Sequence, residues 1–175
     1  MTGPGSLGRD DLPVDSDLDV NDTTIGYSRP IHLRWRYLAL VAVGGTVGTA
    51  IREGLTLVVP AVGGVTWIIL GINVIGAFAL GVLLESFARR GPDEGRRRNL
   101  RLLLGTGVLG GFTTYSSLAT ATALLLVSGE TVLALVYALS TVLLGAAGAA
   151  AGIVLASALH RRSVHRRTGS NGSAR

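Results

Sequence analysis

Three places in this 175-residue sequence set a charged or hydrogen-bonding side chain inside a long apolar run. Arg52 stands with Glu53 toward the far end of the first run. Asn73 lies inside Leu70-Gly71-Ile72-Asn73-Val74-Ile75-Gly76-Ala77-Phe78 in the second. The third place, Gly110-Gly111-Phe112-Thr113-Thr114-Tyr115-Ser116-Ser117-Leu118, is the densest polar cluster of the apolar part. These groups do not suit covalent chemistry. There is no cysteine, the three histidines flank the apolar region, and no acid/base pair, metal cluster or phosphate loop lies within it, so an enzyme is not expected. Handling ions is a better match. Amide and hydroxyl groups donate to an anion, and carbonyls freed by unwound backbone accept a cation.

Each group also has a plainer role open to it. Arg52 can snorkel to the interface, or face a water-filled vestibule that attracts anions. Asn73 can be hydrogen-bonding glue between helices, or line a pore. The hydroxyls can bond back to their own helix, or form a polar track that Ser140 and Thr141, near Tyr137, would extend.

The elements that position them are readable from composition. Charged residues make up 15% of the chain against about 25% for soluble domains, and the mean hydropathy is +0.49, which excludes an ordinary soluble domain. All sixteen basic residues are arginine, giving a net charge of +5. The arginines flank hydrophobic blocks, as in a membrane protein rather than a nucleic-acid binder. Four apolar stretches, 37–59, 65–88, 100–127 and 131–159, each exceed the roughly 20 residues needed to cross a bilayer core. The expected fold is therefore all-α, with four transmembrane helices over 34–160.

Flanking this domain, an acidic tail over 1–33 carries six aspartates, and an arginine-rich tail covers 161–175; both are expected to be disordered. The acidic tail lacks the basic and apolar regions of a signal peptide. Arg34 and Arg36 precede the first stretch. Arg89, Arg90, Arg96, Arg97, Arg98 and Arg101 follow the second, and Arg161, Arg162, Arg166 and Arg167 follow the fourth. Connections 60–64 and 128–130 hold no basic residue, so the positive-inside rule puts both termini in the cytoplasm. Gly44 with Gly48, Gly107 with Gly111, and Gly148 with Gly152 sit four apart and allow helix backbones to approach closely. Glycines leading straight into Thr113, Thr114, Ser116 and Ser117 predict that the third helix is broken, which lipid tolerates only where protein or a polar cavity surrounds the backbone.

The chain resembles the Fluc/CrcB family of bacterial fluoride channels over about 36–159. Gly44-Gly45-Thr46-Val47-Gly48-Thr49-Ala50-Ile51-Arg52 is similar to the family's GGxxGAxxR, with Thr49 in place of alanine. Asn73-Val74-Ile75-Gly76-Ala77-Phe78, with Gly81, is similar to NxxGxFxxG, and Gly110 to Ser116 to GGxTTFS. The resemblance implies an antiparallel dual-topology dimer in the bacterial plasma membrane, with two pores along its interface. It implies that Asn73, Phe78, Tyr115, Ser116 and Thr141 belong to the fluoride pathway and Arg52 to a vestibule. It also implies that carbonyls of Gly110 and Thr113 from both subunits hold a structural sodium ion, Na+, at the dimer centre. The role implied is a passive, fluoride-selective channel that exports cytoplasmic fluoride and protects against its toxicity.

The sequence departs from the family in two ways. A family pair of phenylalanines corresponds here to Tyr115 and Leu118, and a frequent threonine before the asparagine to Ile69. The arginine bias also favours one orientation, whereas an antiparallel homodimer needs two. A heterodimer with an oppositely oriented paralogue would answer both departures. The alternative is a small four-helix proton-coupled multidrug exporter, which needs a carboxylate mid-membrane. Glu53 and Glu85 both lie near helix ends. A non-transporting scaffold would explain the glycine spacing but not the break.

Overall fold

The computed structural model describes residues 34–90 and 93–172, with side chains as far as Arg162. The tail expected over 1–33 lies outside the described residues. Helix α1 spans Trp35–Val58 and α2 Trp67–Ala88. A short α3, Gly95–Leu100, leads into a π-helical stretch, Arg101–Leu109, and one turn of α-helix, α4, Gly110–Phe112. After two extended residues the chain resumes as α5, Tyr115–Val127, and ends in α6, Thr131–Gly172. No strand forms among the described residues; one isolated bridge joins Val62 and Val65.

Among the described residues three helices are long and apolar enough to cross a membrane: α1, α2 and the Thr131–Arg162 part of α6. The 100–127 stretch differs. It is apolar enough, but it divides among the π-helical stretch, α4 and α5, so no single helix carries it. At the other end α6 extends to Gly172. Arginine is a good helix former and no proline interrupts the segment, so the backbone continues helical.

Helix termini follow local chemistry. Pro60 stands just beyond α1, and the connection then turns through Gly63 and Gly64, at φ 61° and 76°. Two successive positive φ angles are costly for side-chain-bearing residues, and the turn closes with paired bonds of 3.0 and 3.1 Å between Val62 and Val65. This tight reversal returns the chain directly into α2.

Packing is set by missing side chains. α1 lies against the π-helical stretch and α4 so closely that a methyl on Gly44 would stand 2.9 Å from the Gly107 Cα. One on Gly48 would stand 2.8 Å from the Phe112 backbone nitrogen. α2 meets α6 in the same way: Gly81 faces Ala149, Gly148 faces Val74, and Gly152 faces Phe78. Glycine pairs predicted to bring helices together thus form two seams. Without a hydrophobic drive inside lipid, such close backbone contact supplies the dispersion attraction that holds helices together.

Little apolar surface is buried within one chain. A buried cluster of Val65, Leu118, Leu125, Ala134 and Tyr137 joins α5 to α6 and to the residues just before α2. Leu57, Val58, Val127 and Val132 are among the many large apolar side chains left exposed. Exposure on this scale in water would cause aggregation; it suits surfaces covered by lipid tails or by a second subunit.

Candidate functional site

The interruption at Thr113 and Thr114 is the site's centre. Their backbones are extended, with φ/ψ of −77°/151° and −148°/122°. Two consecutive β-branched residues favour that geometry over a helical one. An extended step leaves backbone groups without helical partners, and each needs another one.

Asn73 satisfies two of them at once. Its side-chain oxygen accepts the Thr114 N–H at 2.8 Å, and its amide donates to the Thr114 carbonyl at 3.1 Å. The asparagine is therefore glue, linking α2 to the interruption. An amide nitrogen carries two hydrogens, so the second donor is not consumed by the Thr114 bond. Gly76, one turn on, keeps the same face of α2 clear for Phe112 and Thr113: a methyl there would lie 3.2 Å from the Phe112 ring.

Thr114 then caps α5. Its hydroxyl oxygen accepts the Ser117 N–H at 3.1 Å, the usual N-cap bond. The Thr114 Oγ1 also lies 3.1 Å from the hydroxyl oxygens of Ser116 and Ser117. Tyr115 is 82% exposed and Ser116 is exposed, so both face away from their own chain at the start of α5.

Arg52 reaches the interruption from α1. Its Nε donates to the Gly111 carbonyl at 3.3 Å and its Nη1 to the Ser117 hydroxyl at 3.3 Å, with Glu53 paired at 2.8 Å. It thus touches residues on both sides of the gap. Thr49 bonds the same Gly111 carbonyl at 3.4 Å. Sequence reasoning assigned no role to Thr49 or to the Gly111 carbonyl. The i,i+3 spacing of Thr49 and Arg52 was the available signal, since it puts both on one helix face.

Other expected pathway residues stand apart. Phe78 is about 140° around α2 from Asn73, and its carbonyl lies against Gly152 in the α2–α6 seam. Thr141 is buried, and its hydroxyl donates to the Tyr137 carbonyl at 2.7 Å. Ser140 bonds the same carbonyl at 3.1 Å, so both hydroxyls bond back to their own helix. Among the described residues no hydrogen bond connects Phe78 or Thr141 to the Asn73–Thr114 cluster. Glu85 accepts from Arg89 and from Ser157 at 2.8 Å near the end of α2.

The fit of a cation can be judged from carbonyl partners. In an unbroken helix the Gly110 carbonyl would accept from the Thr114 N–H, and the Thr113 carbonyl from the Ser117 N–H. Both donors are diverted, the first to Asn73 and the second to the Thr114 hydroxyl. Gly110 is also exposed, and no atom lies closer than 3.9 Å to a methyl built there. Two hard oxygens are thus released by the same bonds that stabilise the interruption, one of them at the chain's surface. Carbonyl oxygens are ligands of the type a hard cation takes.

Comparison with known proteins matches residues 39–153 to the family described as CrcB-like protein, Camphor Resistance (CrcB). The chain is 53% identical over 132 residues to the fluoride-specific ion channel FluC 2 of Leifsonia xyli subsp. xyli, covering 75% of this chain and 91% of that protein. It is 44% identical over 110 residues to FluC 1 of Cutibacterium acnes, covering 62% of this chain and 77% of that one. A further relative, FluC of Thermus thermophilus, is 44% identical over 126 residues, covering 71% and 97% respectively.

Proposed function

The chain belongs to the CrcB-like family, and on that premise we propose that it is a subunit of a passive fluoride-selective channel that lets cytoplasmic fluoride leave the cell. The observation that carries this is the helix interruption at Thr113–Thr114, clamped by Asn73. It presents neutral donors, the second Asn73 N–H and the Ser116 and Tyr115 hydroxyls, where a continuous apolar helix would present none. Fluoride is small and strongly hydrated, so its water must be replaced by close, oriented donors that do not hold it too tightly to leave. A positive ring edge, as of Phe78 or Tyr115, adds a weaker donor.

In this reading the chain crosses the membrane four times, with the third crossing interrupted, and both termini are cytoplasmic. A second, antiparallel subunit covers the exposed Tyr115–Ser116 face and lines two pores with it. Phe78 and Thr141 complete the pathway from the α2–α6 pair, and Arg52 stands at a vestibule while anchoring the interruption. The one-sided arginine bias favours a partner of opposite orientation and different sequence. The numbered names of two relatives, FluC 2 of Leifsonia xyli and FluC 1 of Cutibacterium acnes, fit organisms that carry more than one such chain. Among the described residues the carboxylates Glu53 and Glu85 lie toward helix ends, which favours passive transport over proton coupling.

A sodium ion on the Gly110 and Thr113 carbonyls of both subunits would supply a fixed positive charge tying the two interruptions together. Asn73 and Thr114 keep those carbonyls free by taking their helical donors. Replacing sodium by N-methylglucamine should lower the fraction of cross-linkable dimer, with readdition of sodium restoring it; a dimer indifferent to the exchange would remove the ion from this reading.

Growth tests the function. Expression in a bacterium lacking its own fluoride export, with a paralogue of opposite arginine bias where needed, should restore growth on fluoride. Continued sensitivity with both chains present in the membrane would reject the proposal.

A further inference from the structure

We propose that the cavity between the ends of α2 and the apolar part of α6 holds the phosphate headgroup of an anionic phospholipid from the cytoplasmic leaflet. The cavity has a volume of about 220 Å3 and is lined by Val82, Ser86, Arg89, Arg90, Ala156, Leu159 and His160. Apolar Val82, Ala156 and Leu159 line it together with polar Ser86, Arg89, Arg90 and His160, a mixture that suits a lipid's glycerol and headgroup.

Three observations point to this occupant. The first is charge. Glu85 offsets Arg89, and Ser157 closes that bond set at 3.0 Å from Arg89 Nη2. Arg90 makes no ion pair among the described residues, and the exposed Arg161 and Arg162 follow His160 directly. The rim is therefore positive. The second is position: the cavity opens where two apolar spans end among arginines, the level at which headgroup phosphates lie. The third is the path for a chain. Leu159 lines the cavity and remains exposed, and Leu155, one turn earlier on the same face of α6, is exposed too. An acyl chain can run from the cavity along that stripe toward the bilayer centre.

A larger cavity nearby, about 320 Å3, lies against Phe87, Arg97 and Arg101, but Arg101 pairs there with Asp93. Arg97 and Arg101 against Asp93 leave that cavity one net positive charge, as Arg89 and Arg90 against Glu85 leave the first; the lipid is assigned to the first because Arg161 and Arg162 follow its wall at His160 and the exposed Leu155–Leu159 stripe leads from it.

The test needs only the purified full-length chain in detergent and does not depend on fluoride transport. Phosphatidylglycerol, phosphatidylcholine or inorganic phosphate is added, and retained lipid is counted by native mass spectrometry alongside the melting temperature. Phosphatidylglycerol should be retained and raise the melting temperature, with phosphatidylcholine and phosphate having little effect. Arg90→Gln should weaken retention about fivefold, as expected for one charge at a membrane surface, and Arg90→Gln with His160→Gln further. Arg96→Gln, on α3 and outside both cavities, should change nothing. Equal retention of phosphatidylcholine, equal protection by phosphate, or equal loss in Arg96→Gln would each overturn the proposal. A fluoride-inactive chain that still selects phosphatidylglycerol through Arg90 would leave it standing.

Discussion

Asn73→Ala should lower fluoride flux by about tenfold or more while leaving the protein in the membrane. The substitution removes both bonds to Thr114, each a net contribution of about 1 kcal/mol. It also leaves an N–H and a carbonyl without their partner, and each such group costs about 1–3 kcal/mol where it is buried. The least costly response is for the Thr114 N–H to return to the Gly110 carbonyl. That rewinds the interruption and withdraws a carbonyl proposed for sodium. Donor loss and loss of shape therefore act together. Asn73→Asp separates them: a carboxylate can still accept the Thr114 N–H, but it offers no N–H and repels an anion. Ser116→Ala removes a single exposed hydroxyl and should reduce flux with the interruption intact. Efflux from vesicles, normalised to assembled protein, reads all three; unchanged flux in Asn73→Ala and Ser116→Ala would take both residues off the path.

Gly48→Val should prevent assembly rather than impair transport. Its first added carbon would overlap the Val108 backbone carbonyl and stand 2.8 Å from the Phe112 nitrogen. Backbone cannot turn aside as a flexible side chain does, so α1 must separate from the π-helical stretch along its length. Overpacking a tight contact costs about 1–3 kcal/mol or more, a large part of a typical domain's stability. Separation would also break the Arg52 and Thr49 bonds to Gly111. Gly54→Ala is the matched control, because no atom lies within 4 Å of its added methyl. It should be neutral or slightly stabilising, since alanine is the better helix former by about 1 kcal/mol. Detergent-solubilised yield and size-exclusion profile distinguish the two; a monodisperse Gly48→Val protein would show that the seam is looser than described.

How far the sequence carried these conclusions depends on the distance over which each signal acts. Apolar length and arginine placement revealed α1, α2 and α6 because a span is a local property. The spacing of Gly44 with Gly48 and of Gly107 with Gly111 announced close packing, but not that these two pairs face each other. That pairing joins residues about sixty positions apart and leaves no trace in local pattern. The Gly-Gly and Thr-Thr steps stand where α4 ends and α5 begins. The mechanism of the interruption was hidden, because the partner of Thr114 is an asparagine 41 residues away. Arg52 looked equally suited to snorkelling and to a vestibule, and its contact with Gly111 became visible only in three dimensions. Likewise Glu85 and Arg89 could be paired from their i,i+4 spacing, whereas Ser157, on α6, could not be added. The π-helical winding over 101–109 had no sequence signal beyond its glycines.

The most direct test of the central claim is fluoride efflux from liposomes, read with a fluoride electrode against a chloride control. The purified chain is reconstituted alone and, separately, with a co-expressed partner of opposite arginine bias. Rapid fluoride loss without a proton or sodium gradient, with chloride retained, is the predicted result in at least one of the two preparations. Activity of the chain alone would support the channel and reject an obligate heterodimer. Silence in both preparations, or chloride leaving as fast as fluoride, would contradict a fluoride-selective channel.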